Sequence, residues 1–217
     1  MARVRHGSPG LPARNYTYRP MAKSDLSKLV PLLPSPKTWV DTALQDFESF
    51  LQDHASAEKK ASGMALSMAS HYPDRLDLVS AMVDLAVEEL NHYREVMRLL
   101  LGRKIVPSAD RKDAYVTQLN KQVRKDAEYF LLDRLLVAAV VERRGAERFG
   151  LIAEHITDPS LKKFYAAITA SEERHWQLFV ELAWAHCAVD EIEQRFNELA
   201  DYENNLVSTL PIAATLH

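Results

Sequence analysis

The chain has 217 residues, a hydrophobic content of 47% and a formal net charge of −3, which suffices for one sizeable core and predicts a single folded domain. Its single cysteine, Cys187, excludes an internal disulfide, a cysteine-rich zinc site and an iron–sulfur cluster held by this sequence alone. The sequence begins without the apolar segment of a signal peptide, and its longest apolar run, residues 135–141, is too short for a bilayer, so we expect a cytoplasmic protein with no membrane partner.

The N-terminal residues 1–22 contain several prolines and arginines and have no apolar period, so we predict an extended basic arm. A short amphipathic helix is expected within residues 24–33, before a proline cluster. We expect residues 23–207 to form the folded helical domain. The final segment, residues 208–217, has no recognisable pattern and is predicted as a tail.

Four long helices are predicted in the folded domain. With only six glycines and long stretches rich in Ala, Leu, Glu, Lys and Arg, the composition indicates an all-α fold. Capping residues and helix breakers predict helix A at 36–70, helix B at 74–101, helix C at 126–156 and helix D at 159–186. The connection between helices B and C is long and basic, and we expect a short helix in it at 111–124. A last amphipathic helix is predicted at 189–207.

The motif Glu-x-x-His occurs in helix B as Glu89 and His92, and in helix D as Glu172 and His175. Residues three apart lie on one face of a helix about one turn apart, so each pair points a carboxylate and an imidazole at one spot. Such a ligand pair suits a metal of intermediate softness, such as iron, manganese or zinc. The sequence therefore predicts that helices B and D each contribute to a metal site.

A further glutamate precedes each motif at nearly the same distance, because Glu58 comes 31 residues before Glu89 and Glu142 comes 30 residues before Glu172. At ~1.5 Å per residue, all four glutamates lie on the order of 20 Å from the turn of their own helix pair. Two antiparallel hairpins joined by residues 102–125 would therefore form a four-helix bundle with one long crossover. In ferritin-like bundles, a Glu from each of two helices and Glu-x-x-His from each of the other two hold two metal ions.

Four carboxylates left unpaired inside a bundle would cost several kcal/mol each, and two divalent ions would neutralise them. The competing interpretation is a set of buried salt bridges with neighbouring arginines: Arg143, Arg144 and Arg174. Each arginine is one residue from a proposed ligand, about 100° around the helix, and should point away from it. We therefore predict six metal ligands: Glu58, Glu89, His92, Glu142, Glu172 and His175.

Five other residues of these helices are not expected to bind metal: His54, Glu147, His155, Tyr165 and His186. Glu147 and His155 fall on other faces of helix C, and His186 lies three turns beyond His175. Tyr165 is expected in the core. His54 is one turn before Glu58 on the same face, and we expect an ordinary core histidine there, with a supporting contact to the metal site as the alternative.

Basic residues are concentrated in two segments, since residues 1–30 carry a net charge of +5 and residues 98–125 one of +6 on a chain that is acidic overall. Two such segments are compatible with a polyanionic partner. The candidate phosphate contacts of the arm are Arg3, Arg5, Arg14 and Arg19. Those of the connection are Arg103, Lys104, Arg111, Lys112, Lys121, Arg124 and Lys125.

Four segments carry a resemblance to a known family: residues 53–61, with His-x-x-x-Glu-Lys-Lys, residues 88–96, residues 141–149, with Glu-Arg-Arg-Gly-Ala-Glu-Arg-Phe, and residues 171–176. They are similar to the MiaE-type tRNA hydroxylases, and the resemblance extends over residues 24–207. It implies a ferritin-like di-iron monooxygenase that uses dioxygen and electrons from an external reductase. The reaction implied is hydroxylation of the isopentenyl group of 2-methylthio-isopentenyladenosine beside the anticodon, so the expected cofactor is two iron ions and the expected partner is tRNA rather than DNA.

One feature departs from many di-iron oxygenases, because Glu88 and Ser171 precede the metal glutamates where an aspartate is common. The partner that orients each metal-binding histidine is therefore not identified by the sequence. The alternative functions are a ferritin-like iron-storage or ferroxidase protein and a small-molecule di-iron oxygenase. A structural bundle without metal is a further alternative, but it would leave the buried carboxylates unexplained.

Overall fold

The computed structural model describes residues 26 and 28–217. Within these residues it contains α-helices and no strand, and no helix there is long and apolar enough to cross a membrane. In chain order the helices are α1 (Lys37–Gln45), α2 (Phe47–His71), α3 (Leu76–Gly102), α4 (Ala114–Asn120), α5 (Phe130–His155), α6 (Pro159–His186) and α7 (Val189–Thr209). The predicted arm at residues 1–22, with its four candidate arginines, lies outside the described part of the chain.

The four long helices α2, α3, α5 and α6 form the bundle. Helices α2 and α3 pack along each other as one hairpin, and α5 and α6 form the second. The chain crosses between the hairpins through residues 103–129, which contain α4. Helix α1 packs against α2 and α5, and α7 packs mainly against α5. The prediction of an all-α, ferritin-like four-helix bundle with one long crossover and additional terminal helices is confirmed.

The predicted helix A is interrupted at Asp46, which separates α1 from α2. Asp46 has φ −119° and ψ 61°, and its side chain accepts a hydrogen bond from the backbone N–H of Ser49 at 3.2 Å. An aspartate in this position caps a new helix, so the prediction of one continuous helix at 36–70 was wrong. The short helix predicted at 24–33 is also wrong over residues 28–33, which are not helical and include a proline.

The crossover is less helical than predicted. The helix expected at 111–124 is limited to α4. The Asp113 side chain fixes its start by accepting a hydrogen bond from the backbone N–H of Val116 at 3.0 Å. Helix α5 begins at Phe130 rather than at residue 126. The backbone N–H and the guanidinium of Arg124 donate to the Asp133 carboxylate at 2.8 and 2.9 Å, which holds the preceding chain in a turn.

The buried apolar side chains form two clusters. One includes Met68, Leu78, Leu135 and Phe179, and the other includes Phe50, Val96, Phe149 and Ile168. Along each of the four long helices, the predicted ligand lies between residues of the first cluster and residues of the second. The candidate site is therefore enclosed by apolar residues on both sides along the bundle.

Residues 210–217 follow α7 and return to the bundle. The side chains of Ala214 and Leu216 are buried. The backbone N–H of Leu216 donates to Asp53 at 2.7 Å, and the Arg148 guanidinium donates to the Leu216 carbonyl oxygen at 2.6 Å. A short irregular segment has no periodicity that would indicate burial, so the sequence pattern did not signal this packing.

Candidate metal centre

The six residues predicted as metal ligands come together between the four long helices. Their nitrogen and oxygen atoms form two groups, within each of which the atoms lie within 4.8 Å of one another. The first group contains Glu58, Glu89, His92 and Glu172, and the second contains Glu89, Glu142, Glu172 and His175. Because Glu89 and Glu172 belong to both groups, each of these two carboxylates could contribute to two metal ions. Glu58 and Glu142 belong to one group each.

In both Glu-x-x-His motifs, the Nδ1 atom of the histidine faces the carboxylate cluster. The Nδ1 atom of His92 lies 3.5 Å from Oε2 of Glu58 and 3.5 Å from Oε2 of Glu89. The Nδ1 atom of His175 lies 2.8 Å from Oε1 of Glu89 and 3.7 Å from Oε2 of Glu172. The helical spacing of three residues thus brings each imidazole beside the glutamate of its own motif, as predicted.

Several of these atoms are buried without a hydrogen-bond partner. They are both carboxylate oxygens of Glu89, Oε1 of Glu172, and the Nδ1 atoms of His92 and His175. Nδ1 of His175 lies close to Oε1 of Glu89, but the two atoms do not form a hydrogen bond. Buried polar groups nearly always have partners, and imidazole and carboxylate together suit divalent metals. The residues present therefore fit a metal site.

The four carboxylates oppose one another's ionisation. Burial, together with the charge of the neighbouring carboxylates, raises the pKa of Glu58 and of Glu142 well above the usual range, and also raises the pKa of Glu172. Burial acts in the same direction on Glu89, but the two imidazoles beside this carboxylate outweigh it and lower the pKa of Glu89. The shared glutamate Glu89 is therefore the carboxylate of the cluster that ionises most readily.

The two imidazoles bind protons strongly. Burial favours their neutral forms, but the carboxylates around them outweigh this and raise the pKa of His92 to about 10 and that of His175 to about 12. A metal ion needs a deprotonated nitrogen, so it must displace these protons when it binds. Metal binding to this cluster would therefore release protons.

The three arginines beside the proposed ligands bond elsewhere, as predicted. Arg143 donates to a backbone carbonyl of the segment before α1 at 2.9 Å. Arg144, which is fully buried, donates to both carboxylate oxygens of Glu203 on α7, at 2.7 and 2.9 Å. Arg174 donates to Glu88 at 2.7 Å. Salt bridges to these arginines therefore do not explain the carboxylate cluster.

Two residues, Ser171 and Glu88, lie at Nε2 of His175. The Ser171 hydroxyl is in hydrogen-bond contact with this nitrogen at 3.4 Å and donates to one oxygen of Glu88, and the other oxygen of Glu88, Oε2, lies 3.3 Å from the same nitrogen. Glu88 precedes the proposed ligand of α3 but reaches across to the histidine of α6. The sequence analysis left the partner of His175 unidentified, and the approach of Glu88 joins two helices. Polar partners at Nε2 leave Nδ1 free to face the carboxylate cluster.

His54 is in direct contact with a proposed ligand. Its Nε2 atom lies 2.6 Å from Oε1 of Glu58, and its Nδ1 atom lies 3.3 Å from the hydroxyl of Tyr165. The expectation of an ordinary core histidine was therefore wrong, and the alternative of a supporting contact applies. Tyr165 is buried in the core, as predicted.

The remaining candidates lie outside the cluster, as predicted. Glu147 faces Ser35 and accepts hydrogen bonds from its backbone N–H at 2.7 Å and its hydroxyl at 2.8 Å. His155 is exposed and bonds to a carbonyl of its own helix. His186 lies 3.0 Å from Asp77, near the far end of α6.

A cavity of about 500 Å³ lies next to the cluster, and the four carboxylates Glu58, Glu89, Glu142 and Glu172 form part of its lining. Another part of the lining is apolar and includes Met64, Met68, Val137, Ala138 and Val141. Pockets for small ligands typically measure about 300–1,000 Å³. The cavity is therefore large enough to receive an apolar group against the carboxylate cluster.

Cationic side chains also line the cavity, among them Lys60, Arg111 and Lys112. Arg111 and Lys112 belong to the predicted phosphate contacts of the connection. Arg124, also in that set, donates instead to the fully buried Asp133 at 2.7 Å. The other four are exposed and outside the cavity lining: Arg103, Lys104, Lys121 and Lys125. Sequence reasoning did not single out Lys60, Arg134 or His217 as residues of the lining, because no local pattern indicates their position there.

Known proteins resemble this chain along most of its length. Residues 26–217 match the family model described as tRNA-(MS[2]IO[6]A)-hydroxylase (MiaE). The tRNA 2-(methylsulfanyl)-N(6)-isopentenyladenosine(37) hydroxylase of Pseudomonas putida is 38% identical over 150 residues, which cover 69% of this chain and 73% of that protein. The protein of the same name from Salmonella typhimurium is 29% identical over 170 residues, which cover 76% of this chain and 62% of that protein.

A solved structure shares the fold. It is the Protein 43 with aldehyde deformylating oxygenase activity from Synechococcus, which is similar to this chain with a TM-score of 0.80 and 33% identity over 87% of this chain and 94% of that one. The ferritin-like bundle and its carboxylate and histidine cluster agree with the family match over residues 26–217. The chain therefore belongs to the MiaE family of tRNA-(MS[2]IO[6]A)-hydroxylases.

Proposed function

We propose that this chain is a cytoplasmic di-iron monooxygenase that hydroxylates the isopentenyl group of 2-(methylsulfanyl)-N6-isopentenyladenosine in tRNA. The observation that carries the proposal is a pair of ligand groups sharing Glu89 and Glu172 in the wall of a partly apolar cavity, in a chain of the MiaE family. The names of two curated relatives specify this modified adenosine.

The two ligand groups would hold two iron ions, with Glu89 and Glu172 between them. Bound iron would supply the activation of dioxygen, a chemistry that amino-acid side chains lack. Insertion of one oxygen atom into a C–H bond also consumes two electrons and two protons and releases water. We propose that an external reductase supplies the electrons, because a sequence with one cysteine cannot hold an iron–sulfur centre of its own.

The apolar part of the cavity would receive the isopentenyl group. Met64, Met68 and Val141 are in the same lining as Glu58 and Glu142, so an apolar group buried against them lies beside the proposed metal centre. Burial of this group favours binding and excludes water from the reacting carbon.

Two side chains would keep the ligands in position for the reaction. Glu88, with the Ser171 hydroxyl that bonds to it, lies at Nε2 of His175, and His54 contacts Glu58 from within the core. Both contacts come from residues outside the two ligand groups, and such contacts fix the orientation of a ligand and its basicity.

The cationic part of the lining would hold the tRNA backbone. A modified base must leave its stack to reach an enclosed site, and the phosphates on either side of it then need cationic partners. Lys60, Arg111 and Lys112 line the cavity and are exposed at the surface, as this role requires. The tRNA would therefore approach over the crossover between α3 and α5.

The proposal is tested with cells that lack the gene and with the purified protein. We expect tRNA from these cells to contain the isopentenyl nucleoside without its hydroxyl group, and expression of the parent chain, but not of the Glu142→Ala variant, to restore the hydroxylated nucleoside. The purified protein should contain about two iron ions per chain.

The alternatives give different results. Unchanged tRNA nucleosides in the deficient cells would favour a small-molecule oxygenase. Iron far in excess of two ions per chain in a large cage, measured by light scattering, would favour a storage protein.

A further inference from the structure

Helix α3 carries a stripe of exposed apolar side chains on the face opposite its buried ligands. The members of this α3 stripe are between 43% and 76% exposed: Leu76, Val83, Val87, Leu90 and Leu101. Neighbouring members are 7, 4, 3 and 11 residues apart. These intervals are about two, one, one and three helical turns, so the side chains follow one line along the helix. An apolar line of this length on an exposed helix is typical of an interaction surface.

The α3 stripe has nearly the same pattern when it is read from either end. Val87 and Leu90 lie at its middle, Leu76 comes eleven residues before Val87, and Leu101 comes eleven residues after Leu90. Two identical helices that pack antiparallel about a two-fold axis place each residue against the residue at the mirrored position. In such a pair Val87 faces the partner's Leu90 at the centre, and Leu76 faces the partner's Leu101 at each end.

The charges beside the stripe are complementary in the same arrangement. They are Asp77 and Asp84 in the N-terminal half of α3, and Arg94, Glu95 and Arg98 in the C-terminal half. Arg94 mirrors Val83, so its apolar stem can lie on the partner's Val83 while its guanidinium reaches the partner's Asp84. Neither Asp84 nor Arg94 forms an ion pair with another residue that the structure describes. A parallel pair would instead bring Asp84 against the partner's Asp84.

We propose that α3 is a self-association surface, through which two copies of this chain pair antiparallel about a two-fold axis between Val87 and Leu90. A second copy is the partner that fits, because the stripe complements itself both in its apolar residues and in its charges. Two-fold dimers are also the commonest oligomers of soluble proteins. One helix from each copy buries a small area, so we expect a reversible dimer with a micromolar dissociation constant.

This pairing would leave the cavity accessible. Among the described residues of α3, Glu89 alone lines the cavity, whose wall comes mainly from α2, the crossover and α5. The proposed approach of tRNA over the crossover therefore remains open in both copies. The inference does not depend on the proposed function, and either can fail without the other.

The first test measures self-association of the full chain by sedimentation velocity over a range of concentrations. We expect a monomer–dimer equilibrium in the parent. Val87→Arg with Leu90→Arg places four like charges at the two-fold axis and should give a monomer. Both replaced side chains are exposed, so the melting temperature and helix content should match the parent. The control is Glu154→Arg, a change at an exposed acid of α5, and it should dimerise as the parent does.

A charge exchange tests the antiparallel arrangement itself. Asp84→Arg and Arg94→Asp each create two like-charge contacts in a dimer, and each alone should weaken self-association about tenfold or more. In a mixture of the two variants, the substituted residues face each other and the native residues face each other, and each pair has opposite charges. The mixture should therefore form a mixed dimer with an affinity close to that of the parent.

Three results would overturn the proposal. One is a parent chain that stays monomeric up to about 100 µM, which would leave the stripe to residues 1–25 or to another protein. Another is a dimer that persists in folded Val87→Arg with Leu90→Arg. The third is a mixture of the two charge variants that associates no better than either variant alone, and this result is decisive even if the double arginine variant is unstable.

Discussion

The Nε2 atom of His54 lies 2.6 Å from Oε1 of Glu58, and both side chains are buried. Burial lowers the pKa of His54 to about 3, so the imidazole is neutral and can donate from Nε2 to the carboxylate while Nδ1 accepts from Tyr165. This contact holds one proposed metal ligand from within the aromatic core. It makes His54 a residue that positions Glu58 without binding metal itself.

Replacement of His54 should weaken metal binding without unfolding the protein. In His54→Phe the new ring can remain between Phe149, whose centroid is 4.5 Å from the present ring, and Phe50 at 6.2 Å, but Glu58 loses its donor. Outer contacts of this kind typically contribute about 10–100-fold to metal affinity. We expect a loss in this range, measured as iron affinity by competition with a chelator. Tyr165→Phe removes only the outer hydrogen bond and should have a smaller effect.

Two glutamates on α5 provide a direct comparison. Glu142→Ala should lower bound iron below about two ions per chain and abolish oxygen-dependent turnover, because Glu142 belongs to one ligand group. Glu147→Ala should leave iron content unchanged, since Glu147 faces Ser35 and Arg144, although its loss should lower the melting temperature. Equal loss of iron in both variants would contradict the placement of the cluster.

Metal affinity should fall as the pH is lowered. The pKa values of His92 and His175 are raised to about 10 and about 12, so both imidazoles are protonated at neutral pH before metal binds. Acid stabilises this protonated form and therefore competes with the metal. Calorimetric titration with Mn²⁺ in two buffers of different ionisation enthalpy should detect release of about two or more protons per chain at neutral pH. Binding without proton release would show that the imidazoles are not ligands.

The cationic rim should determine the salt dependence of tRNA binding. We expect Arg111→Ser with Lys112→Ser to weaken tRNA binding and to reduce the slope of log affinity against log salt by about 0.7 to 0.9 for each lost phosphate contact. The matched control is Lys162→Ser with Lys163→Ser, two exposed lysines of α6 that do not line the cavity. It should change neither the tRNA affinity nor the salt slope appreciably. Iron content should be the same in both double variants. Equal effects of the two would mean that tRNA does not approach over the crossover.

The proposed ligand set could be read from the sequence because the pattern behind it is set by helix geometry. Helical spacing of three residues determines that Glu89 and His92 share a face, and the similar distances from Glu58 and Glu142 to the motifs determine that the hairpins align. The length of the connection then required the crossover. These rules depend on the rise and period of the α-helix, which the surrounding protein changes little.

Helix boundaries were less accurate where side chains compete with the helix. Asp46 and Asp113 each accept a hydrogen bond from a backbone N–H three residues later and begin a new helix there. Such a carboxylate can equally stand on the surface of a continuous helix, as the prediction assumed for Asp46. The choice depends on the packing of α1 against α5, which the local sequence does not specify.

By itself, the sequence determined the four-helix bundle and the six proposed ligands, because periodicity and spacing act within single helices, and four of its segments carried the resemblance to the family. Only the tertiary structure decided which carboxylates are shared, how Glu88 reaches His175 on another helix, and that His217 lies in the cavity wall beside Asp113. Glu89 and Glu172 are 83 positions apart, Glu88 and His175 are 87 apart, and Asp113 and His217 are 104 apart. Their geometry depends on how whole helices pack against one another, and no local pattern encodes it.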